Sequence, residues 1–178
     1  MTGQASIHIR EARHRDAGAI AEIYNQGIAG RNATFETRLR NAADIKSWFD
    51  DPRHPILVAD LDGMVAGWIA ASTYRPRQCY AGVAEFSVYI AEHRRGLGIG
   101  TRLMQAFLPA CETAGLWKLV SRIFPENRAS RALCRKFGFR EVGLYEKHAC
   151  LDGVWRDVVI VEKLLEGGYS SPCGADTS

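Results

Sequence analysis

The sequence predicts an α/β fold in which a central mixed, twisted sheet has helices on both faces. Seven short segments have the residue pattern of β-strands, and four others repeat their hydrophobic residues with helical spacing. Their order is strand, two helices, three strands, helix, strand, helix and two strands. Because this order combines hairpins with helical crossovers, we expect both parallel and antiparallel neighbours in one sheet.

The first elements are a strand, a helix and a loop. Ile7 and Ile9 alternate with polar residues as in a strand, and Asp16 is expected to cap the next helix. The apolar face of that helix consists of Ala17, Ile20, Ala21, Tyr24 and Ile28. Residues 30–37 then predict a loop, and residues 42–49 predict a second helix. Loops of this kind often carry functional residues.

The middle of the chain predicts a hairpin and one long strand. Residues 56–59 and 64–74 are joined by an Asp- and Gly-containing turn, which is typical of a hairpin. Arg75-Pro76-Arg77 ends its second strand. Residues 83–90 predict the long strand, and residues 98–113 predict the helix that follows it.

The last part of the chain predicts a strand, a helix and a hairpin. The strand covers residues 119–124, and the helix extends from Asn127 to Gly138, whose type favours a helix end. Residues 140–148 and 154–164 predict the final pair of strands.

Length and composition limit the possible functions. Residues 1–166 are expected to form a single domain, and the small, polar residues 167–178 a flexible tail. A net charge of +3 is too small for a dedicated nucleic-acid-binding protein. Five cysteines, none closer than 16 positions to another, predict no metal site. Without an apolar signal core or an apolar run of about 20 residues, we expect no membrane segment and a cytoplasmic location.

A glycine-rich turn follows the long strand. The stretch HRRGLGIGT, residues 93–101, places cationic side chains before three alternating glycines and a helix start. Glycines allow a ligand to approach the backbone closely, and a helix N-terminus favours an anion such as phosphate. Neither the P-loop pattern nor the dinucleotide-binding pattern fits these residues. A short solvated connection is the alternative interpretation.

This turn, with Arg95-x-x-Gly98-x-Gly100 after Val88-Tyr89-Ile90, resembles the pyrophosphate-binding motif of the GNAT superfamily of N-acetyltransferases. The resemblance implies the GNAT acyl-CoA N-acyltransferase fold, with acetyl-CoA as co-substrate and no metal. It further implies that the backbone of Val88, Tyr89 and Ile90 pairs with the pantetheine arm. The pyrophosphate would be held by Arg95, Gly96, Leu97, Gly98, Ile99, Gly100 and Thr101. Asn127 and Ser130 would contact the cofactor farther along, although Asn127 also suits a simple helix cap.

Four separate segments are similar to one branch, the phosphinothricin, methionine-sulfone and arsinothricin N-acetyltransferases. They are Ile23-Tyr24-Asn25 with Phe35-Glu36-Thr37, residues 85–90, residues 127–139, and residues 153–158. The resemblance covers roughly residues 7–164. It implies acetylation of the α-amino group of a small oxyanion-bearing amino acid, with resistance to glutamine synthetase inhibitors as the result. It also implies a homodimer.

Acetyl transfer to an amine requires a group that accepts a proton, because most amines are protonated at neutral pH. Glu85 is the candidate general base, acting directly or through one water. A salt-bridged Glu85 without a catalytic role is the alternative. The backbone amide of Val88 or Tyr89 is the candidate for stabilising the thioester oxyanion. The general acid remains open: it is Cys134, Tyr145 or His148, or no residue has this role.

Arg75 and Arg77 indicate the type of amine substrate. Two guanidinium groups can hold a carboxylate and a second oxyanion, although a solvated turn has the same composition. The other candidate substrate-binding residues are Phe35, Glu36, Phe86 and Ser87, together with Glu85. Trp155 suits either the pocket or packing. Arg156 departs from the phosphinothricin enzymes, which have His before the residue matching Asp157, and this weakens the expectation that phosphinothricin itself is preferred.

Two other functions fit the same fold. One is acetylation of a protein N-terminus, a polyamine or an aminoglycoside, and the Arg75/Arg77 pair argues against the polycationic substrates. The other is a non-catalytic acyl-CoA-binding regulator, which would need no general base.

Overall fold

A computed structural model describes residues 6–166 of the chain. Its sheet consists of β1 (Ile7–Glu11), β2 (Ile56–Leu61), β3 (Met64–Thr73), β4 (Val83–Ile90), β5 (Lys118–Ile123), β6 (Arg140–Leu151) and β7 (Val154–Leu164). The α-helices are α1 (Ala17–Ala29), α2 (Ala42–Lys46), α3 (Ile99–Thr113) and α4 (Arg128–Lys136). The strands lie in the order β1-β2-β3-β4-β5-β7-β6. Only the β4–β5 pair is parallel among these strands, so the predicted mixed sheet is confirmed.

Helices cover both faces of the sheet, as predicted. On one face α3 buries its apolar side against Phe86 and Leu119, and Phe107 of this helix is fully buried. On the other face α1 and α2 pack on Trp68, which is also fully buried. The alternation of β4 divides its side chains between the two faces, with Phe86 facing α3 and Tyr89 facing α1.

The sheet splits at its centre because β4 and β5 diverge. Residues 83–85 pair with residues 118–120, whereas β4 continues to Ile90 paired only with β3. At the point of separation the Ser121 hydroxyl donates a hydrogen bond to the Phe86 carbonyl over 3.0 Å. The backbone N–H and C=O groups of successive residues in a strand point to opposite sides. The Phe86 carbonyl points toward β5, so the N–H group of Val88, two residues farther along, points into the opening. That of Tyr89 lies on the β3 side.

Several local details differ from the sequence prediction. The second helix was predicted over residues 42–49, but α2 ends at Lys46, and a short 3-10 helix follows over Ser47–Asp50. Asp16 precedes α1, but its carboxylate does not cap the helix; it accepts hydrogen bonds from the Arg10 guanidinium at 2.8 Å and from the Arg13 N–H at 2.7 Å. The bond to Arg10 holds the pKa of Asp16 below its usual value. β6 extends to Leu151, three residues beyond the prediction. The predicted tail, residues 167–178, lies outside the described residues.

Candidate active site

A cavity of about 730 Å³ opens where β4 and β5 separate. It brings together three separate parts of the sequence: residues 27–33 at the end of α1 and in the loop after it, residues 88–101 at the end of β4 and in the glycine turn, and residues 126–136 at the start of and along α4. The predicted cofactor residues that line it are Val88, Tyr89, Ile90, Arg95, Gly96, Gly98, Ile99, Gly100, Thr101, Asn127 and Ser130. Leu97 does not line the cavity; 53% of its surface is exposed.

The glycine turn forms a cradle for an anion. Gly96 and Gly98 have φ angles of +79° and +76°, which side chains with a Cβ rarely adopt. Gly98 immediately precedes α3, so the first N–H groups of this 15-residue helix lack intrahelical acceptors and point toward the cavity end. A Cβ added at Gly96 or Gly98 meets no atom within 4 Å, because both face open space.

Besides Arg95, three cationic residues that were not predicted as cofactor-binding line this cavity, namely Arg94, Lys136 and Arg128. Arg94 belongs to the same turn, and Lys136 extends from α4 to within 3.5 Å of the Thr101 hydroxyl. The spacing of Ala129, Leu133 and Lys136 along α4 was the available signal for Lys136. Backbone N–H groups combined with arginine and lysine form a donor set that fits the diphosphate and phosphate groups of acetyl-CoA.

Asn127 lies at the start of α4 and at the edge of the cavity. Its side-chain oxygen accepts a hydrogen bond from the Ser130 N–H over 3.1 Å, so it is a helix cap. Both residues also line the cavity.

Tyr89 forms the wall between the cavity and the buried cluster in which α1 and α2 pack on Trp68. Its ring stacks on Trp68 with 4.9 Å between centroids, and its hydroxyl donates to the Ala33 carbonyl over 3.1 Å. Burial raises the pKa of Tyr89, so its hydroxyl stays protonated and fixes the loop before α2. Gly27 of α1 permits this packing, since a Cβ there would lie 2.5 Å from the ring.

Glu85 lies on β4 below the split, and its carboxylate is paired with Arg122 of β5. The Arg122 Nη2 atom lies 2.7 Å from Oε1 and 2.6 Å from Oε2 of Glu85. Sequence analysis did not identify Arg122. Strand alternation places Val120, the register partner of Glu85, and Arg122 on one face, but sequence alone did not show that β5 lies beside β4.

Arg75 and Arg77 line a separate, smaller cavity of about 100 Å³ with Arg53 and His54. The Arg75 guanidinium lies over the Tyr74 ring, 5.3 Å from its centroid. This cavity is also lined by the end of β3 and the start of β4. The two arginines therefore lie beside the first residues of β4, the strand that carries Glu85, although Glu85 itself does not line the smaller cavity.

The loop before α2 carries Phe35, which packs in a small core, and Glu36, which forms an ion pair. Phe35 packs edge-to-face on Phe124, 4.9 Å away, in a small core with Leu151 and Val158. Glu36 pairs with Arg40 over 2.6 Å, and its carboxylate lies near Tyr24 and Tyr89.

Arg156 and Trp155 occupy different environments in β7. The Arg156 guanidinium lies over the Phe124 ring at 4.6 Å and contacts Glu126. It therefore covers the same small core as Phe35. Trp155 is 62% exposed and neither packs in the core nor lines the cavity at the split.

None of the three candidates for the general acid lines the large cavity. Cys134 packs in the main core, where burial raises the pKa of its thiol to about 12. Tyr145 and His148 lie together on β6, with 5.2 Å between their ring centroids. Because β6 is the outermost strand, both are two strands away from β5 and the split.

Residues 19–139 match the model of the acetyltransferase (GNAT) family, and the chain belongs to this family. The Bacillus subtilis protein YwnH, provisionally named a phosphinothricin acetyltransferase, is 38% identical over 88% of this chain and 98% of its own. The L-methionine sulfoximine/L-methionine sulfone acetyltransferase of Pseudomonas aeruginosa PAO1 is 32% identical over 94% and 99%, respectively. A phosphinothricin acetyltransferase from Sinorhizobium meliloti, solved with acetyl-CoA, superposes with a TM-score of 0.86 at 28% identity and covers 93% of this chain and 92% of its own.

The protein is therefore an N-acetyltransferase with acetyl-CoA as the acetyl donor. In residues 6–166 no cluster of three potential metal ligands is present. No helix in this described part of the chain is long and apolar enough to cross a membrane.

Proposed function

We propose that the enzyme acetylates the α-amino group of a small amino acid whose side chain ends in a tetrahedral, oxygen-bearing group. Phosphinothricin, arsinothricin, methionine sulfoximine and methionine sulfone belong to this class. The observation that carries the proposal is the pair Arg75 and Arg77, which line a cavity at the start of β4 and form no ion pair within residues 6–166. The names of the relatives support the same class. Resistance to glutamine synthetase inhibitors is the proposed consequence.

Glu85 acts as general base in this proposal. Its carboxylate accepts a proton from the substrate ammonium group, directly or through one water, and the neutral nitrogen then attacks the thioester carbonyl. As the C–N bond forms, negative charge develops on the carbonyl oxygen, and the Val88 N–H at the open edge of β4 stabilises it. The C–S bond then breaks, and the released thiolate takes up a proton.

The cofactor residues have three tasks. The open backbone edge at Val88 and Ile90 pairs with the pantetheine arm, and the glycine turn binds the pyrophosphate with Arg95. Asn127 and Ser130 line the opposite wall, and Lys136 and Arg94 neutralise further phosphate charge. These contacts hold the thioester on the side of the sheet opening.

Replacing Arg75 and Arg77 by Gln tests the substrate class. Each change removes a charge-assisted hydrogen-bond donor, so kcat/KM for methionine sulfone is expected to fall by about 10- to 100-fold, with KM for acetyl-CoA unchanged. Arg53→Gln is the matched control, because Arg53 lines the same cavity but is already paired with Asp51 over 2.7 Å. An unchanged kcat/KM in both variants would remove the two arginines from substrate binding.

We further propose a homodimer that forms through the hairpin β6–β7. β6 is one of the two edge strands of the sheet, and large apolar side chains on the hairpin are half-exposed, namely Val142, Leu144, Tyr145, Val154, Trp155 and Leu164. An unpaired edge with exposed apolar residues favours association with a second copy. Sedimentation velocity is expected to give a dimer for the native chain and a monomer for Leu144→Asp; a monomeric native chain would contradict this.

Residues 1–166 would act as one N-acetyltransferase domain, and the enzyme would work in the cytoplasm. The four cysteines within the described part of the chain are all free thiols, as expected in a reducing compartment.

A further inference from the structure

The ion pair between Glu85 and Arg122 uses only one nitrogen of the guanidinium group. Arg122 Nη2 donates to both carboxylate oxygens, whereas Nε and Nη1 have no hydrogen-bond partner among residues 6–166. A guanidinium group has five N–H donors in a planar fork, so a second anion can bind while the first is still in contact. The Arg122 side chain is 47% exposed, which leaves its free edge open to a ligand.

Glu85 lies between two groups of positive charge along its strand. In the parallel β5, Arg122 is two residues past the register partner of Glu85, toward the sheet opening and Ser87. In the antiparallel β3, Ser72 is the register partner of Glu85, and the chain beyond it leads to Arg75 and Arg77 at the start of β4. The arginine nearest to the base is therefore Arg122, and the other two lie on its far side.

We infer that Arg122 binds the α-carboxylate of the substrate, while Arg75 and Arg77 bind the oxygen-bearing side-chain group. This assignment rests on the proposed function. The α-amino and α-carboxylate groups share one carbon atom, so an amine presented to Glu85 brings its carboxylate next to the group already in contact with Glu85. The side-chain oxygens are several bonds farther from the amine, as Arg75 and Arg77 are farther from Glu85.

Substrate binding then weakens the ion pair that holds the general base, Glu85. When the α-carboxylate engages Arg122, it shares the positive charge that Glu85 holds alone in the free enzyme. The Glu85 oxygens become available to accept the proton of the ammonium group. A substrate without an α-carboxylate binds more weakly and leaves Glu85 fully paired with Arg122, so Arg122 is both a substrate-binding and a specificity-determining residue.

The test compares one substrate pair in several variants. Methionine sulfone and its α-carboxamide differ in the α-carboxylate alone, and any difference in intrinsic amine reactivity is the same for every enzyme form. The native enzyme is expected to favour the acid in kcat/KM by about tenfold or more, and Arg122→Gln is expected to lose this preference. Arg140→Gln is the matched control, since Arg140 forms an exposed ion pair with Glu162 on the same sheet. It should keep the native ratio.

An equal loss on acid and amide in Arg122→Gln would overturn the inference, because Arg122 would then only hold Glu85. In that case native turnover of methionine sulfone would still support the proposed function. No native turnover of any oxyanion amino acid would overturn both.

Binding measurements keep the test decisive if Arg122→Gln is inactive. Glu85→Gln removes the competing charge, so calorimetry in the presence of CoA is expected to detect methionine sulfone binding to this variant. The double variant Glu85→Gln/Arg122→Gln should bind the acid about tenfold more weakly and the amide equally well. Equal affinity of both variants for the acid would contradict the inference.

Discussion

The change of Glu85 to Gln is expected to lower kcat by about 10²- to 10⁴-fold, the usual contribution of a general base. Gln keeps the shape of the side chain and an oxygen that accepts from Arg122, but it cannot take a proton from the ammonium group. Glu85 does not line the large cavity, so the affinity for acetyl-CoA should stay at the native value. Steady-state kinetics and calorimetry with acetyl-CoA measure the two effects separately.

The pH dependence of the rate of the Glu85→Gln variant shows whether this variant lacks the proton-removal step. Without a base, the variant depends on amine that is already neutral in solution, so its rate should rise with pH until the amine has lost its proton. Glu141→Gln is the control, since Glu141 is also a strand carboxylate paired with an arginine, Arg131, over 2.9 Å. It is expected to keep native kcat. A fully active Glu85→Gln enzyme would exclude Glu85 from the mechanism.

Gly98→Ala is expected to weaken acetyl-CoA binding by about 10- to 100-fold, equivalent to the loss of one or two charge-assisted hydrogen bonds. The left-handed backbone at Gly98 disfavours a Cβ, and the new methyl group would enter the space of the proposed pyrophosphate. Calorimetric titration with acetyl-CoA measures the change.

A second left-handed glycine provides the control for backbone strain. Gly63, in the turn between β2 and β3, has a φ angle of +84°, and a methyl group added there would likewise meet no atom within 4 Å. Gly63→Ala should cost about the same folding free energy, roughly 1 kcal/mol, but leave acetyl-CoA affinity unchanged. Equal affinities in both variants would remove the glycine turn from the cofactor site.

Elements with local signals could be predicted from the sequence. The bounds of β4 agree with the prediction because its residues have high strand propensity and the glycine turn stops it. The end of α4 near Gly138 also agrees, since that residue has a φ angle of +77°. The bounds of β4 and the end of α4 are both determined by residues that are close together in the sequence.

Features that depend on strand order could not be predicted. The last two strands do not follow their chain order, because β7 lies between β5 and β6. Arg122 is 37 residues from Glu85, and their pairing follows only from the parallel register of β4 and β5. The contact of Arg53 and His54 with the Arg75/Arg77 cavity likewise requires the fold. The ion pair of Glu36 with Arg40 also requires the fold, because both residues lie between α1 and α2, where an i,i+4 spacing does not predict contact.

Release of free CoA thiol from acetyl-CoA by the native enzyme tests the central claim most directly. The acceptors are methionine sulfone and methionine, which differ only in the side-chain oxygens, with phosphinothricin, arsinothricin, methionine sulfoximine, spermidine and an N-terminal peptide. The account predicts that kcat/KM for methionine sulfone exceeds that for methionine by about tenfold or more, and that the oxyanion amino acids lead the series. Turnover with spermidine or the peptide alone, or equal turnover of methionine and its sulfone, would contradict it.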